Sequence, residues 1–287
     1  MKLVTFRRAS GGSPEPGILI GGERILPLPQ WKSMNEIILG ADMGALKALA
    51  GSGGETLEPG SVTLLSPIPE PLQDVLCLGL NYFAHADEAA RYSQESFSSD
   101  SAVPIFFSKR VSYSQGTGDA IPAHEDLTSR LDYETELAVI IGKDAKDVAP
   151  EDAEKYIFGY TVLNDVSARD LQTRHKQWYF GKSLDGFTPM GPCIVTADEI
   201  PFPPALKIST RVNGELRQSS TTDMLMHGIP EIVSFLSRGM TLKAGTIIAT
   251  GTPKGVIMGM ENPVFLKKGD KIECTIEGIG TLVNPVE

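Results

Sequence analysis

Histidine and cysteine are scarce in this chain of 287 residues, with four of the first and three of the second. Cys77, Cys193 and Cys274 are odd in number and far apart, which excludes a disulfide framework and any CxxC zinc or redox motif. His85, His124, His175 and His227 include no pair four residues apart, so HExxH zinc chemistry is absent. A metal in this chain must therefore be held by oxygen, which selects a hard cation: Mg²⁺, Mn²⁺ or Ca²⁺. There is no GxSxG elbow, no GxxxxGK[ST] phosphate loop and no GxGxxG after a strand. No apolar run approaches the ~18 residues of a membrane span. The opening MKLVTFRRAS has too short an apolar run for a signal peptide. Positive charge is also in deficit, with 26 Lys and Arg against 36 Asp and Glu and a pI near 5.0. That balance argues against a phosphate-backbone partner. The expectation is a soluble, cytoplasmic protein with no nucleic-acid and no membrane partner.

Turn formers are plentiful instead. The 29 glycines and 20 prolines make about 17% of the chain, against roughly 12% on average, with no collagen-like period. Many turns imply many short strands. KLVTF, GILIGG, RILPLP, VLCLGL, IFFSK, ETELAVIIG, IFGYTVLND, CIVTA, LKISTRV, TIIATG and KIECTIEG read as strands from length and β-branched content. Helical segments are expected at Trp31–Leu39, Asp42–Ala50, Tyr82–Tyr92 and Ile229–Arg238, the last closed by Gly239. Asn213-Gly214 signals a tight hairpin, because a type I′ turn needs positive φ at both positions. Ser66–Pro71, with three prolines, predicts an extended linker between a small N-terminal α/β unit (1–66) and a larger domain (67–287). The serine-rich stretch 93–103 reads as a mobile loop. Strands and helices do not alternate regularly, which predicts a strand-rich α+β fold rather than a doubly wound sheet.

Two acidic motifs carry the chemistry. In DYETELAVIIG, Glu134 and Glu136 would face one way along a strand, with Cα atoms roughly 6.5–7 Å apart. Side-by-side carboxylates running into a buried apolar strand repel unless a cation sits between them. In NDVSARD, Asp165 ends another apolar strand, where a turn or helix cap is the alternative role.

ETEL, NDVSARD, GKSLDGFTPMGP, TGTPKGV and VFLKKGD, in this order, resemble the fumarylacetoacetate hydrolase superfamily over about residues 70–287. The chain looks nearer its acylpyruvate hydrolase, oxaloacetate decarboxylase and tautomerase branch. The resemblance implies a mixed β-roll catalytic domain, a homodimer and one divalent ion per subunit. It implies Glu134, Glu136 and Asp165 as metal ligands, and His85 with Glu88 as a base dyad on one helical face. Lys182 matches a lysine that contacts the substrate, and Arg169, Gln172 and Thr252 match substrate-binding or supporting positions. Arg169 and Gln172 follow Asp165 by four and seven residues, which a helical turn would bring to one side; pairing of Arg169 with Asp170 or the core is the alternative. Where longer members carry a fourth acid before the histidine, this chain has Leu78–Ala84 without one, leaving that position to water. The serine-rich loop then fits a lid over bound substrate.

The implied substrate is a 2-oxo or 2,4-dioxo acid, activated as its enolate by Mg²⁺ or Mn²⁺ and by Lys182. C–C hydrolysis of an acylpyruvate or fumarylacetoacetate type acid is the first expectation, since the His85–Glu88 pair can activate water. Oxaloacetate decarboxylation, keto–enol tautomerisation and 2-hydroxyhepta-2,4-dienedioate isomerisation use the same enolate. A non-catalytic metabolite-binding role is the remaining alternative.

Overall fold

The structure, a computed structural model, describes residues 1–89 and 103–287. Apart from Val103, the serine-rich segment expected to be a mobile lid lies outside the described residues, as does the end of the helix expected at Tyr82–Tyr92.

The chain opens with strands β1 (Lys2–Arg8), β2 (Glu15–Ile20) and β3 (Arg24–Pro27), then helices α1 (Met34–Gly40) and α2 (Met43–Gly51), then β4 (Val62–Leu64). Ser33 and Asp42 cap the two helices by accepting N–H bonds from Glu36 and Gly44. There follow β5 (Val75–Gly79), α3 (Phe83–Ala89), β6 (Ile105–Lys109), β7 (Leu131–Asp132), β8 (Thr135–Ile141), β9 (Ile157–Asn164) and β10 (Ser167–Ala168). Next come α4 (Arg169–Arg174), α5 (Tyr179–Lys182), β11 (Met190–Thr196), β12 (Lys207–Val212) and β13 (Glu215–Thr221). The chain ends with α6 (Ile229–Gly239), β14 (Ile247–Ala249), β15 (Lys271–Ile276) and β16 (Gly280–Pro285).

One large mixed sheet runs β3-β2-β1-β11-β9-β8-β14-β5-β6, with β4 on the side of β1. Only β14 and β5 pair in parallel within it. The N-terminal strands join through β1, where Lys2 and Leu3 pair with Val195 and Ile194 of β11. At the centre, every residue of β8 and β9 is buried, which explains their near-continuous apolar runs: both faces are covered. One cover is a four-stranded sheet, β13-β12-β15-β16, whose strands β12 and β15 alternate buried and open positions. Its residues Ile208, Ile272 and Leu282 share a core with Val139, Tyr160 and Val162 of the large sheet. On the other side Ile37, Ile38 and Leu46 of α1 and α2 pack with Ile140, Phe158 and Ile194. This is the strand-rich α+β fold expected.

Two local readings change. Helix α6 ends through Met240, whose N–H bonds Leu236 O, with Gly239 still helical. Its apolar stripe, Ile229, Ile232, Val233 and Leu236, is buried by its own chain. The sequence offers Met224–Met226 and Ile229–Leu236 as an apolar surface for a second copy, and of these Phe235 and Met224 are the large side chains left exposed, at 41% and 54%. Strand β16 was not among the expected strands, because its GTLVNP opens on Gly and closes on Asn and Pro. No helix among the described residues is long and apolar enough to cross a membrane, and the three cysteines are buried and unbridged.

Candidate active site

Strand pairing builds the acid cluster. In the antiparallel β8–β9 ladder Thr135 opposes Asn164 and Glu136 opposes Leu163, so the start of β8 meets the end of β9. Glu136 belongs to β8, whereas Glu134 sits just before the strand and Asp165 just after β9. The backbone fixes their approach: Asp165 N–H donates to Glu134 O at 2.8 Å, and Glu134 N–H donates to Asn164 Oδ1 at 3.0 Å. Each of the three carboxylates thereby offers an oxygen within 4.8 Å of the others, all buried.

Three buried cations are threaded among them. Lys182 Nζ donates to Glu134 Oε2 and Asp165 Oδ2, both at 2.8 Å. Lys109, at the end of β6, donates to the other Asp165 oxygen and to Val166 O and Phe187 O at 3.1 and 2.8 Å. Arg169 reaches Glu134 Oε1 at 2.6 Å, Asp132 Oδ2 at 2.9 Å and Gln172 Oε1 at 3.1 Å. It opens helix α4, with β10 between it and Asp165, so no single helix carries Asp165, Arg169 and Gln172 as the spacing had suggested. Its partners are Asp132 and Glu134, with Asp170 taken instead by Thr128, Ser129 and Leu171.

The electrostatics are uneven. Burial pushes Glu134 up, but Lys182 and Arg169 overcome it and hold the carboxyl well below the usual range. Glu136 is driven well above that range by burial and by the charges of Asp165 and Glu134, with Lys182 and the Gly251 N–H opposing. Burial lowers Lys109, while for Lys182 the two carboxylates outweigh burial and raise it. Four buried acids, Asp132 included, thus face three buried Lys and Arg cations. Among the described residues Glu136 has one hydrogen-bond partner, Gly251 N–H at 2.8 Å. An oxygen-only set with one carboxylate short of positive charge fits a hard divalent cation.

The expected dyad is present. His85, in α3, is 5% exposed, and its Nδ1 lies 3.2 Å from Glu88 Oε2. Because Glu88 accepts, Nδ1 is assigned the proton and Nε2 is left as the basic nitrogen. Gly255 N–H also donates to both Glu88 oxygens, at 3.3 and 3.2 Å. Gly255 has φ +105°, and a Cβ there would lie 2.1 Å from Arg217 O; one on Gly259 would lie 2.2 Å from Glu88 Cδ. Side chains are thus excluded where this loop seats the dyad. Asp132 anchors the loop by accepting from Ile257 and Met258 N–H at 2.9 and 3.0 Å while holding Arg169. His85 also lies close enough to Glu134 that a second proton on its ring helps hold that carboxyl down.

The remaining expected residues serve the frame. Gln172 accepts from Arg169. The Thr252 hydroxyl donates to Thr135 O at 3.0 Å and accepts from Gln218 Nε2 at 2.8 Å. Asn81, in the stretch lacking the family's fourth acid, ties Thr250 O and both backbone groups of His227. Lys109, Asp132, Asn81 and Gln218 were missed from sequence. Only Lys109 carried a signal, a lysine closing the apolar strand IFFSK.

The chain is also similar to known proteins. Residues 74–287 match the family described as "Fumarylacetoacetate (FAA) hydrolase C-terminal". The oxaloacetate tautomerase of Bacillus subtilis (strain 168) is 50% identical over 225 residues, covering 78% of this chain and 73% of that protein. A mitochondrial oxaloacetate tautomerase of Rattus norvegicus is 43% identical over 226 residues, 78% of this chain and 69% of its own. The solved fumarylacetoacetate hydrolase of psychrophilic Exiguobacterium antarcticum superposes with a TM-score of 0.85 at 41% identity, covering 100% of this chain and 99% of that one.

Proposed function

The chain belongs to the fumarylacetoacetate hydrolase family, and from that premise we propose that it is a keto–enol tautomerase of a 2-oxo acid of oxaloacetate type. The observation that carries this reading is the buried His85–Glu88 pair beside the acid cluster. One base suffices for a 1,3-proton shift, and the two tautomerases above are among the relatives that share most sequence with this chain.

A divalent cation held by Glu134, Glu136 and Asp165 would supply positive charge for the substrate's carboxylate and 2-oxo oxygen and favour enolate character. The chain's own groups do the rest. His85 Nε2 takes a proton from C3 of the keto acid, Glu88 stabilises the imidazolium formed, and the proton returns to the 2-oxygen to give the enol. Lys182 uses two of its three N–H bonds on Glu134 and Asp165, leaving the third for the oxygen that gains charge. Burial of these groups strengthens each such interaction.

His85→Ala should slow enol–keto interconversion of oxaloacetate by ~10²–10⁴-fold and suppress enzyme-catalysed deuterium exchange at C3. A wild-type rate in the variant would remove His85 from the mechanism. C–C hydrolysis is the second reading, favoured by the likeness to a solved fumarylacetoacetate hydrolase. It takes first place if the wild type cleaves acylpyruvates faster than it equilibrates oxaloacetate.

A further inference from the structure

Four donors converge on the carboxylate of Asp132, which is fully buried. Its Oδ1 accepts from Tyr133 N–H and Ile257 N–H, both at 2.9 Å. Its Oδ2 accepts from Met258 N–H at 3.0 Å and from Arg169 Nε at 2.9 Å. An ionised aspartate has two acceptor oxygens for such a set and no donor to oppose it. An asparagine would keep one oxygen and turn its own N–H groups toward two of the donors. The partners of this buried charge lie in both halves of the site.

On one side is the seat of Glu88. Ile257–Gly259 form a single 3₁₀ turn whose N-cap, Val256, supplies no side-chain bond. Asp132 caps that turn instead, from 125 positions away along the chain. The same loop holds Glu88 through Gly255 N–H, at 3.3 and 3.2 Å. Gly259 abuts the Glu88 side chain, since a Cβ there would lie 2.2 Å from Glu88 Cδ. Tyr133, next to Asp132, adds a hydroxyl bond to Gly255 O at 2.7 Å. On the other side, Arg169 also donates to Glu134 Oε1 at 2.6 Å and to Gln172 Oε1 at 3.1 Å. A continuous path thus runs from Glu88 through the loop, Asp132 and Arg169 to Glu134.

Resting on the reading of His85 as the base, we infer that Asp132 is a positioning residue for the dyad. It fixes the loop that seats Glu88 relative to Glu134, and so sets where the His85 ring stands relative to the acid cluster.

The test is a double-variant cycle on enol–keto interconversion of oxaloacetate, using the full chain with Mg²⁺ saturating for each variant. Asp132→Asn keeps the size of the side chain and should lower kcat roughly 10–100-fold, the scale for a residue that orients another. KM should change little. In a Glu88→Gln background the same substitution should cost no more than about twofold, because a residue acting through Glu88 has little left to position. Losses that multiply, or a kcat left at the wild-type value, overturn the assignment. Hydrogen exchange reads the same contact without turnover. Peptides spanning 83–89 and 255–259 should exchange faster in Asp132→Asn while β8 and β9 keep their protection. Unchanged exchange in those peptides overturns the assignment whatever reaction the enzyme performs. Faster exchange there, with wild-type turnover in His85→Ala, sinks the base reading and leaves Asp132's hold on Glu88 standing. Should Asp132→Asn lose protection throughout, Gly259→Ala probes the same seat with Asp132 intact. It should displace Glu88, lower kcat on the same scale and add little beside Glu88→Gln; wild-type turnover in it overturns the assignment.

Discussion

Glu136 is the residue on which pH dependence should turn. Its folded pKa stands above its unfolded value near 4.3. A raised carboxyl contributes stability that is fully present below the unfolded pKa and is lost as pH rises through the folded one. The metal-free protein should therefore lose stability as pH climbs through that window. A divalent ion takes the deprotonated form, so its affinity should rise across the same window. Thermal unfolding at stepped pH with and without Mn²⁺ reads both effects: the gain in Tm from Mn²⁺ should grow with pH. In Glu136→Gln the slope should flatten and Mn²⁺ affinity should fall by more than the ~100-fold upper range for losing an outer-shell partner. Unchanged Mn²⁺ affinity in this variant would move the ion site elsewhere. Glu134, held low by Lys182 and Arg169 against burial, acts in the opposite sense, its stabilisation being lost only as pH falls.

Among the elements, the β12–β13 hairpin links a local signal to the site. Val212 pairs with Glu215, closing a two-residue turn in which Asn213 and Gly214 have φ of 51° and 83°, as the type I′ expectation requires. Asn213 also bonds Asp270 and Lys271 N–H, fixing the turn against β15. Further along β13, Gln218 holds Thr135 N–H and Thr252, so the hairpin supports the start of β8 beside Glu136. Gly214→Ala meets no atom within 4 Å, so only the left-handed backbone opposes it. That costs about 1–2 kcal/mol, a Tm loss of roughly 2–8 °C. Mn²⁺ affinity should hold, because the turn lies at the far end of the strand. A loss of metal binding in a folded variant would show that the hairpin's register reaches the ligands.

At the scale of the whole molecule, segment 1–66 covers one face of the catalytic sheet. Leu3, Ile18, Leu26, Leu28, Met34, Ile37, Ile38 and Leu46 pack with Ala138, Ile140, Phe158 and Ile194. Burial of one such side chain is worth roughly 1.5–3 kcal/mol, while a whole domain is stable by only about 5–15 kcal/mol. Removing 1–66 uncovers that face and leaves the β1-facing side of β11 unpaired. The fragment 67–287 should therefore aggregate or lose its cooperative unfolding transition. A soluble fragment that melts cooperatively and binds Mn²⁺ would show that the larger unit folds alone.

Features set by near neighbours in the chain were legible without coordinates. The i,i+3 relation of His85 and Glu88, the positive-φ turn at Asn213-Gly214 and the buried runs of β8 and β9 are each properties of a few consecutive residues. Resemblance to a known family supplied the link between Glu134, Glu136 and Asp165. What no local pattern held was the set of groups that neutralise and seat these residues. Lys109 meets Asp165 across 56 positions, Asp132 takes N–H bonds from Ile257 and Met258 across 125 and 126, and Gly259 closes on Glu88. Such contacts depend on strand order and register, which periodicity does not encode. Burial then decides their strength, because a charge removed from water must find its partners wherever the packed chain brings them.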